Sequence, residues 1–455
     1  MHLTAYHMLI TEKRAAFSLS LVYAFRMLGL FMILPVFSLY ADDFAGTTPL
    51  LTGLAIGIYG LTQGIFQLPF GFLSDRYGRK KIIVAGLLIF CIGSIVAAGA
   101  ESIYQIIAGR ALQGLGAIAA AVMALAADLT REEVRLRVMA FIGMSIGMSF
   151  MISMVAGPLL AAHYGLSILF WITAGLALAG IAVVVFITPN PQSQGFHRDT
   201  QLSLGDVGQV LRNTDLLRLD LGVFVLHLVL SATFVVFPLV LRDSLLIDQA
   251  VHWKTYLPVF ALSVLGMVPL IIVAEKFRKL KSMFLLGITI VVFAEVGLAL
   301  ENSYDMAFLM LVLFFVGFNF LEASLPSMVA RIAPADMKGT AMGLFSSAQF
   351  LGAFCGGVVG GLLLARQDYA DGFLVLAGLV LVWLLVAAFM NQPKLLASRI
   401  VSLKNMGEES VKHFVKQASL IKGVHEISVY AEDQVAYLKV EKQFDEQPLN
   451  ALLAK

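Results

Sequence analysis

Charge is scarce in this chain. Of its 455 residues only 14% are Asp, Glu, Lys or Arg, against about 25% in an ordinary soluble domain. The balance is nearly even, at +2, which leaves no basic surplus for a nucleic-acid partner. Cysteine is rarer still. Cys91 and Cys355 both sit inside apolar runs, so neither a disulfide framework nor a zinc site is expected, and both read as packing residues. There is no P-loop, no nucleophile elbow and no His-rich metal motif, which argues against an enzyme and against ATP hydrolysis within this chain. What fills the sequence instead is apolar: 59% of residues are hydrophobic and the mean hydropathy is +0.87. So much apolar surface does not fit one aqueous core. Lipid must solvate part of it.

A helix that crosses a bilayer needs about 20 apolar residues. Twelve stretches qualify: 16–40, 50–73, 82–100, 103–128, 136–161, 166–188, 219–241, 254–274, 282–300, 305–330, 339–363 and 371–391. Each is expected to be a helix, because open strand edges go unsatisfied in lipid. The first run exceeds signal-peptide length and has no small-residue cleavage site after it, so it reads as the first span. Lys and Arg divide 18 to 3 between the two sides of this arrangement. The basic side begins with Lys13 and Arg14 and takes in Arg76, Arg131, Arg218, Lys276 and Arg331; the other holds Arg242, Lys254 and Arg366. That bias places both termini in the cytoplasm. The longest connection, 189–218, opens on Pro189-Asn190-Pro191 and divides the spans six and six.

The halves resemble each other. Asp75-Arg76-Tyr77-Gly78-Arg79-Lys80-Lys81 follows span 2, and Glu275-Lys276-Phe277-Arg278-Lys279-Leu280-Lys281 follows span 8. An acid leads a basic cluster at the same place in each, as in transporters built from internal repeats. The expected organisation is a half over 1–188, a cytoplasmic linker over 189–218, a second half over 219–393 and a soluble tail over 394–455.

The run Gly71-Phe72-Leu73-Ser74-Asp75-Arg76-Tyr77-Gly78-Arg79-Lys80 resembles motif A of the major facilitator superfamily. Gly109-Arg110-Ala111-Leu112-Gln113-Gly114 in span 4 is similar to motif B. Gly147 to Pro158 in span 5 is similar to motif C, which marks the drug/proton antiporters of that superfamily. The last match is partial. The glycine expected after Gly157-Pro158 is absent from Leu159-Leu160-Ala161-Ala162, and Ser38 stands where a second proline is common in span 1. The resemblance covers residues 15–391. It implies an all-α membrane protein of twelve helices in two six-helix halves. It also implies a latch: Asp75 is expected to cap the start of helix 11 near Lys338–Gly339, and Arg79 to meet Asp128, holding an outward-open state. Gly71, Arg76 and Gly78 complete the motif.

Charge inside a span is expensive and is functional by default. Arg110, with Gln113 and Gly114, should therefore face a cavity or a partner. Arg26 lies about ten residues into span 1, His227 about eight into span 7, and Glu322 about eight from the end of span 10. At 1.5 Å per residue these depths are roughly 12–15 Å. The resemblance makes helices 1, 4, 7 and 10 line one cavity, so the three residues are expected in one pocket. Glu322 would carry a coupled proton, His227 would assist, and Arg26 would hold the charge. A static polar network fits the same residues. Tyr59, Gln63, Gln67, Asn319 and Gln349 are further cavity candidates; Gln63 and Gln67, four apart, share a helical face. Glu295, mid-span 9, has no evident partner.

The tail reads as strand 398–403, helix 407–421, strands 424–430 and 435–440 around a turn at 431–434, and helix 448–455. This βαββα order resembles small ferredoxin-like metal-binding domains. Those use Cys-x-x-Cys and the tail has no cysteine, so a thiolate metal site is excluded. The expectation is a regulatory or assembly module. For the whole chain it is a proton-coupled secondary antiporter exporting small amphipathic molecules from a bacterial inner membrane, powered by the proton gradient without a cofactor. A monomer is expected. A proton symporter or facilitator for a polar metabolite, or a transport-dead sensor signalling through the tail, are the alternatives.

Overall fold

The computed structural model describes residues 8–190, 204–300, 303–334, 337–366, 368–390, 396–403, 407–430, 435–441, 444 and 447–453. Among them, twelve helices are long and apolar enough to cross a bilayer. Spans 1 to 6 are Ile10–Phe31, Pro49–Tyr77, Arg79–Ala98, Ile103–Asp128, Arg137–Tyr164 and Ser167–Ile187. Spans 7 to 12 are Thr214–Ser244, Gln249–Lys276, Leu280–Ala299, Tyr304–Ile332, Lys338–Ala365 and Tyr369–Ala388. We call the side carrying Arg79, Arg131 and Arg331 the basic face and the other the far face.

Local chemistry sets many of the ends. Thr48, Asn213, Ser303 and Asp368 each accept a backbone N–H in the first turn of spans 2, 7, 10 and 12, satisfying donors a helix start leaves open. Between spans 2 and 3, Gly78 adopts φ +101°, a backbone conformation that side chains disfavour.

Two spans differ from the apolar runs. Span 1 stops at Phe31; a turn over 32–36 leads to the short helix Phe37–Tyr40. Pro35 has no N–H to continue the ladder. Span 4 is broken into Ile103–Leu115 and Ala119–Asp128. In the connection 189–218, a helix Leu204–Val210 stands where only a linker is legible; residues 191–203 lie outside the described residues.

Each half contains the same seam. In the first, Ser149 and Ser153 of span 5 donate to the span 1 carbonyls of Ala24 and Leu28 at 3.2 and 3.1 Å. One turn on, a β-carbon at Gly157 would collide with the carbonyl of Met32. In the second half, β-carbons at Gly352 and Gly356 of span 11 would collide with the carbonyls of Phe224 and Leu228 in span 7. Small residues every fourth position let backbones approach this closely in lipid. The ends repeat too. Lys80 Nζ reaches Thr188 O at 2.6 Å, and Lys281 Nζ reaches Ala388 O at 2.9 Å. The start of the third helix of each half thus satisfies carbonyls at the end of the sixth.

The tail holds an antiparallel sheet of β1 (Leu396–Ser402), β2 (Val424–Tyr430) and β3 (Val435–Glu441) in the order β1-β3-β2. Helices Glu408–Ala418 and Gln447–Leu453 accompany it. Phe414, Ala418, Leu438, Val440 and Leu449 form its core. The expected turn at 431–434 and the boundary at 394 lie outside the described residues.

Candidate functional site

Three polar clusters lie within or beside the spans. The first is at the basic face. Arg79, 7% exposed, donates to Asp128 Oδ2 at 3.1 Å, to Ser74 Oγ at 2.9 Å and to Asp75. The expected pairing of Arg79 with Asp128 is therefore present. The expected cap on span 11 is not seen among the described residues: Asp75 turns to Arg79, and Met337 heads span 11. Gly71 is buried, and Arg76 lies exposed with its guanidinium 5.5 Å from the Tyr77 ring centroid.

The reason lies at the opposite end of the same two helices. Gly53, Gly57 and Gly60 of span 2 face the backbone carbonyls of Gly357, Phe354 and Phe350 in span 11 so closely that a β-carbon would collide. Gly64 continues the seam to Ser347, and Gly361 extends it to Pro49. The halves are joined along the far-face part of spans 2 and 11.

The second cluster is buried in the first half. Arg26, 1% exposed, donates to Gln63 and to Gly116 O, the latter at 3.0 Å. Gly116 sits in the break of span 4, where helical bonding has freed carbonyls. Gln63 in turn donates to Gln67 at 2.8 Å, and the Tyr59 hydroxyl approaches Gln63 at 3.4 Å. Arg110, also 1% exposed, bonds Gln113 at 2.9 Å and the span 2 carbonyls of Ala55 and Ile56 at 3.4 and 3.3 Å. Its guanidinium carbon is 5.1 Å from the Tyr59 ring centroid and that of Arg26 is 5.9 Å. A β-carbon at Gly114 would collide with span 2 at Tyr59 and Thr62. Motif B therefore ties span 4 to span 2.

The third cluster belongs to the second half. Gln349 Nε2 lies 2.8 Å from His227 Nε2 and donates to Glu322 Oε1 at 3.0 Å. The ring and the carboxylate are 3.6 Å apart. His227 Nδ1 is 3.1 Å from Val223 O. A carbonyl only accepts, so Nδ1 carries the proton and neutral Nε2 accepts from Gln349. Glu322 is 41% exposed although it lies ten residues from the end of span 10. Asn319, one turn away, donates to Ser263 of span 8 at 3.0 Å. Arg26 stands apart from this pocket. The break in span 4, invisible to hydropathy, takes its guanidinium instead.

Toward the far face, aromatic rings close the way. Phe150 of span 5 enters a group of second-half rings: Phe260 at 5.1 Å, Phe315 at 6.0 Å and Phe234 at 6.5 Å between centroids. Phe31 covers it at 4.9 Å, edge to face. Phe318 continues from Phe315 to His227, 6.0 and 5.7 Å away. These rings lie between the exposed Glu322 and the far ends of the spans. Phe150 was hidden in sequence among the chain's 33 phenylalanines. Glu295 finds its partner here as well, accepting from Thr233 of span 7 at 3.0 Å.

The sequence profile of the Major Facilitator Superfamily matches residues 19–245 and 219–421. The chain belongs to the Major Facilitator Superfamily. It is a membrane transporter and not an enzyme. It is 44% identical over 443 residues to the inner membrane transport protein YajR of Escherichia coli K12, covering 96% of each chain. The multidrug resistance protein MdtH of Aeromonas salmonicida is 27% identical over 381 residues, covering 81% of this chain and 94% of its own. Among solved structures, a D-xylose–proton symporter superposes with a TM-score of 0.68 at 15% identity, covering 84% of this chain and 99% of that one. A bacterial Spinster homologue in an inward-facing conformation gives 0.68 at 15%, covering 84% and 98%. At such identities these structures establish the superfamily fold alone.

Proposed function

We propose that this transporter exports small amphipathic molecules from a bacterial inner membrane in exchange for protons. The basic face would be cytoplasmic, and the conformer described would be the inward-facing one. One observation carries the reading: the His227–Gln349–Glu322 network, set at mid-depth beside an aromatic wall. Both Gln349 amide hydrogens are committed, one to the ring and one to the carboxylate. A proton arriving at His227 Nε2 removes that acceptor. The amide must then let go, and the imidazolium turns to the carboxylate 3.6 Å away. Protonation is thereby linked to the packing of spans 7, 10 and 11, as alternating access requires. The walls favour an apolar cargo over a sugar-like one. The ring of Phe150 is partly exposed and backed by the buried rings of Phe315 and Phe318, and a sugar would need several converging polar groups.

The test is dye export in proteoliposomes with an imposed pH gradient, using ethidium and other lipophilic cations. Gradient-driven accumulation should vanish in Glu322→Gln. Transport by that variant that stayed fully dependent on the gradient would refute the role.

A further inference from the structure

Among the described residues, a buried cation of the tail reaches the transport body. Lys439 of β3 is only 5% exposed. Its ammonium donates to Arg331 O at 3.1 Å and Ile332 O at 3.2 Å. These are the last carbonyls of span 10, groups that a helix end leaves without intrahelical partners and that favour a cation. The Arg331 side chain, 19% exposed, pairs with Glu275 of span 8 at 2.6 Å. Glu275 is the second-half counterpart of the motif A acid. Tail, span 8 and span 10 thus meet at one joint on the basic face. Span 10 bears Glu322. Six residues past its end begins span 11, headed by Met337. Closure of the basic face by the motif A latch would bring Asp75 to that same corner.

We propose that the tail is a conformational clamp. Docked through Lys439 at the foot of the span 10–11 hairpin, it holds the form open on the basic face, and its release lets Asp75 reach span 11. Docking and latch closure compete for one corner. A signal that loosens the tail therefore speeds return to the other face. The inference rests on alternating access but not on proton coupling.

The test uses the full chain in nanodiscs, with spin labels at Tyr77→Cys and Phe389→Cys and both native cysteines replaced by alanine. Both positions are exposed, on opposite halves, at the basic face. In the parent the longer distance should dominate. Lys439→Gln and Lys439→Glu should raise the ratio of short to long distances at least threefold, and Lys439→Arg should leave it near the parent value. Hydrogen exchange should show the amides of β1, β2 and β3 still protected while the end of span 10 exchanges about tenfold faster. Unchanged distances in both Lys439→Gln and Lys439→Glu, or a shift to longer ones, would overturn the clamp. If ethidium export under a pH gradient is intact in those variants, the clamp alone fails and the transport reading stands.

Discussion

The seam between spans 2 and 11 can be tested with a single methyl group. In Gly57→Ala the new β-carbon would sit 2.6 Å from Phe354 O and 3.2 Å from its Cα. Both neighbours are helix backbone, so neither can swing aside. The helices must separate or the seam must open. Overpacking of this kind costs about 1–3 kcal/mol. A conformer open on the far face would part the far ends of the two spans and relieve the methyl. The intrinsic gain of Ala over Gly in a helix, roughly 0.5–1 kcal/mol, applies to both conformers and does not bias them. The net effect is a shift of roughly 5- to 150-fold toward the form open on the far face, at about 1.4 kcal/mol per tenfold. Spin labels at Tyr104 and Leu300, exposed at the far ends of the two halves, read the change as a longer distance. Gly143→Ala is the control, because a β-carbon there has nothing within 4 Å. The Gly57→Ala protein should stay folded and monodisperse, since packing within each half is untouched. A distance distribution identical to that of Gly143→Ala would refute the reasoning.

Other outcomes follow from the same geometry. Arg79→Ala strands Asp128, whose side chain is 2% exposed; stability should fall by about 3–5 kcal/mol, read from thermal melts in detergent. Arg79→Ala/Asp128→Ala should recover part of the loss, because the buried carboxylate is gone and Asp75, which also loses Arg79, has a side chain 27% exposed to water. Phe150→Ala removes the ring inserted among Phe234, Phe260 and Phe315, a truncation worth about 3–5 kcal/mol in a packed core. It should raise labelling of a cysteine at Phe315 by a membrane-impermeant maleimide added from the far face. His227→Gln removes the ring nitrogen that accepts from Gln349, so gradient-driven export should fall while counterflow without a gradient persists.

Lipid made most of the fold legible. Apolar runs of about 20 residues have one solution in a bilayer, so the twelve spans needed no tertiary information. The tail was legible for a different reason: alternation in β1 to β3 and the stripe of Val411, Phe414, Val415 and Leu420 mark a small water-facing core, though Leu420 stands exposed and Ala418 is buried in its place. Boundaries failed where hydropathy is silent. The span 4 break at Gly116–Ile118 is as apolar as the helices around it, and Leu204–Val210 is too short to register. Site residues divided along the same line. Motif A gave Arg79 and Asp128 because their meeting lies within one half, whereas the partner expected for Asp75 lies in the other half, on span 11. Gln349 was one of several polar candidates; that it bridges His227 and Glu322 follows from the rotation of span 11, which composition does not encode.

Arg26 separates the two ways of reading charge in a membrane. By depth alone it belongs with His227 and Glu322. By contact it belongs to the scaffold, capping the break in span 4 through Gly116 O and anchoring Gln63 of span 2. The two placements predict different failures. In the scaffold placement, Arg26→Gln removes the cationic donor from Gly116 O and Gln63, leaving them Ile118 N at 3.0 Å and the Tyr59 hydroxyl at 3.4 Å, at about 1–3 kcal/mol in all. Melting temperature should drop, and the protein that remains folded should export ethidium with the parent's pH profile. In the shared-pocket placement, removing the cation changes the field at Glu322, so the pH profile moves while stability changes little. Melting curves and pH–rate profiles measured on one preparation decide between them. A shifted profile at unchanged melting temperature would return Arg26 to the proton site.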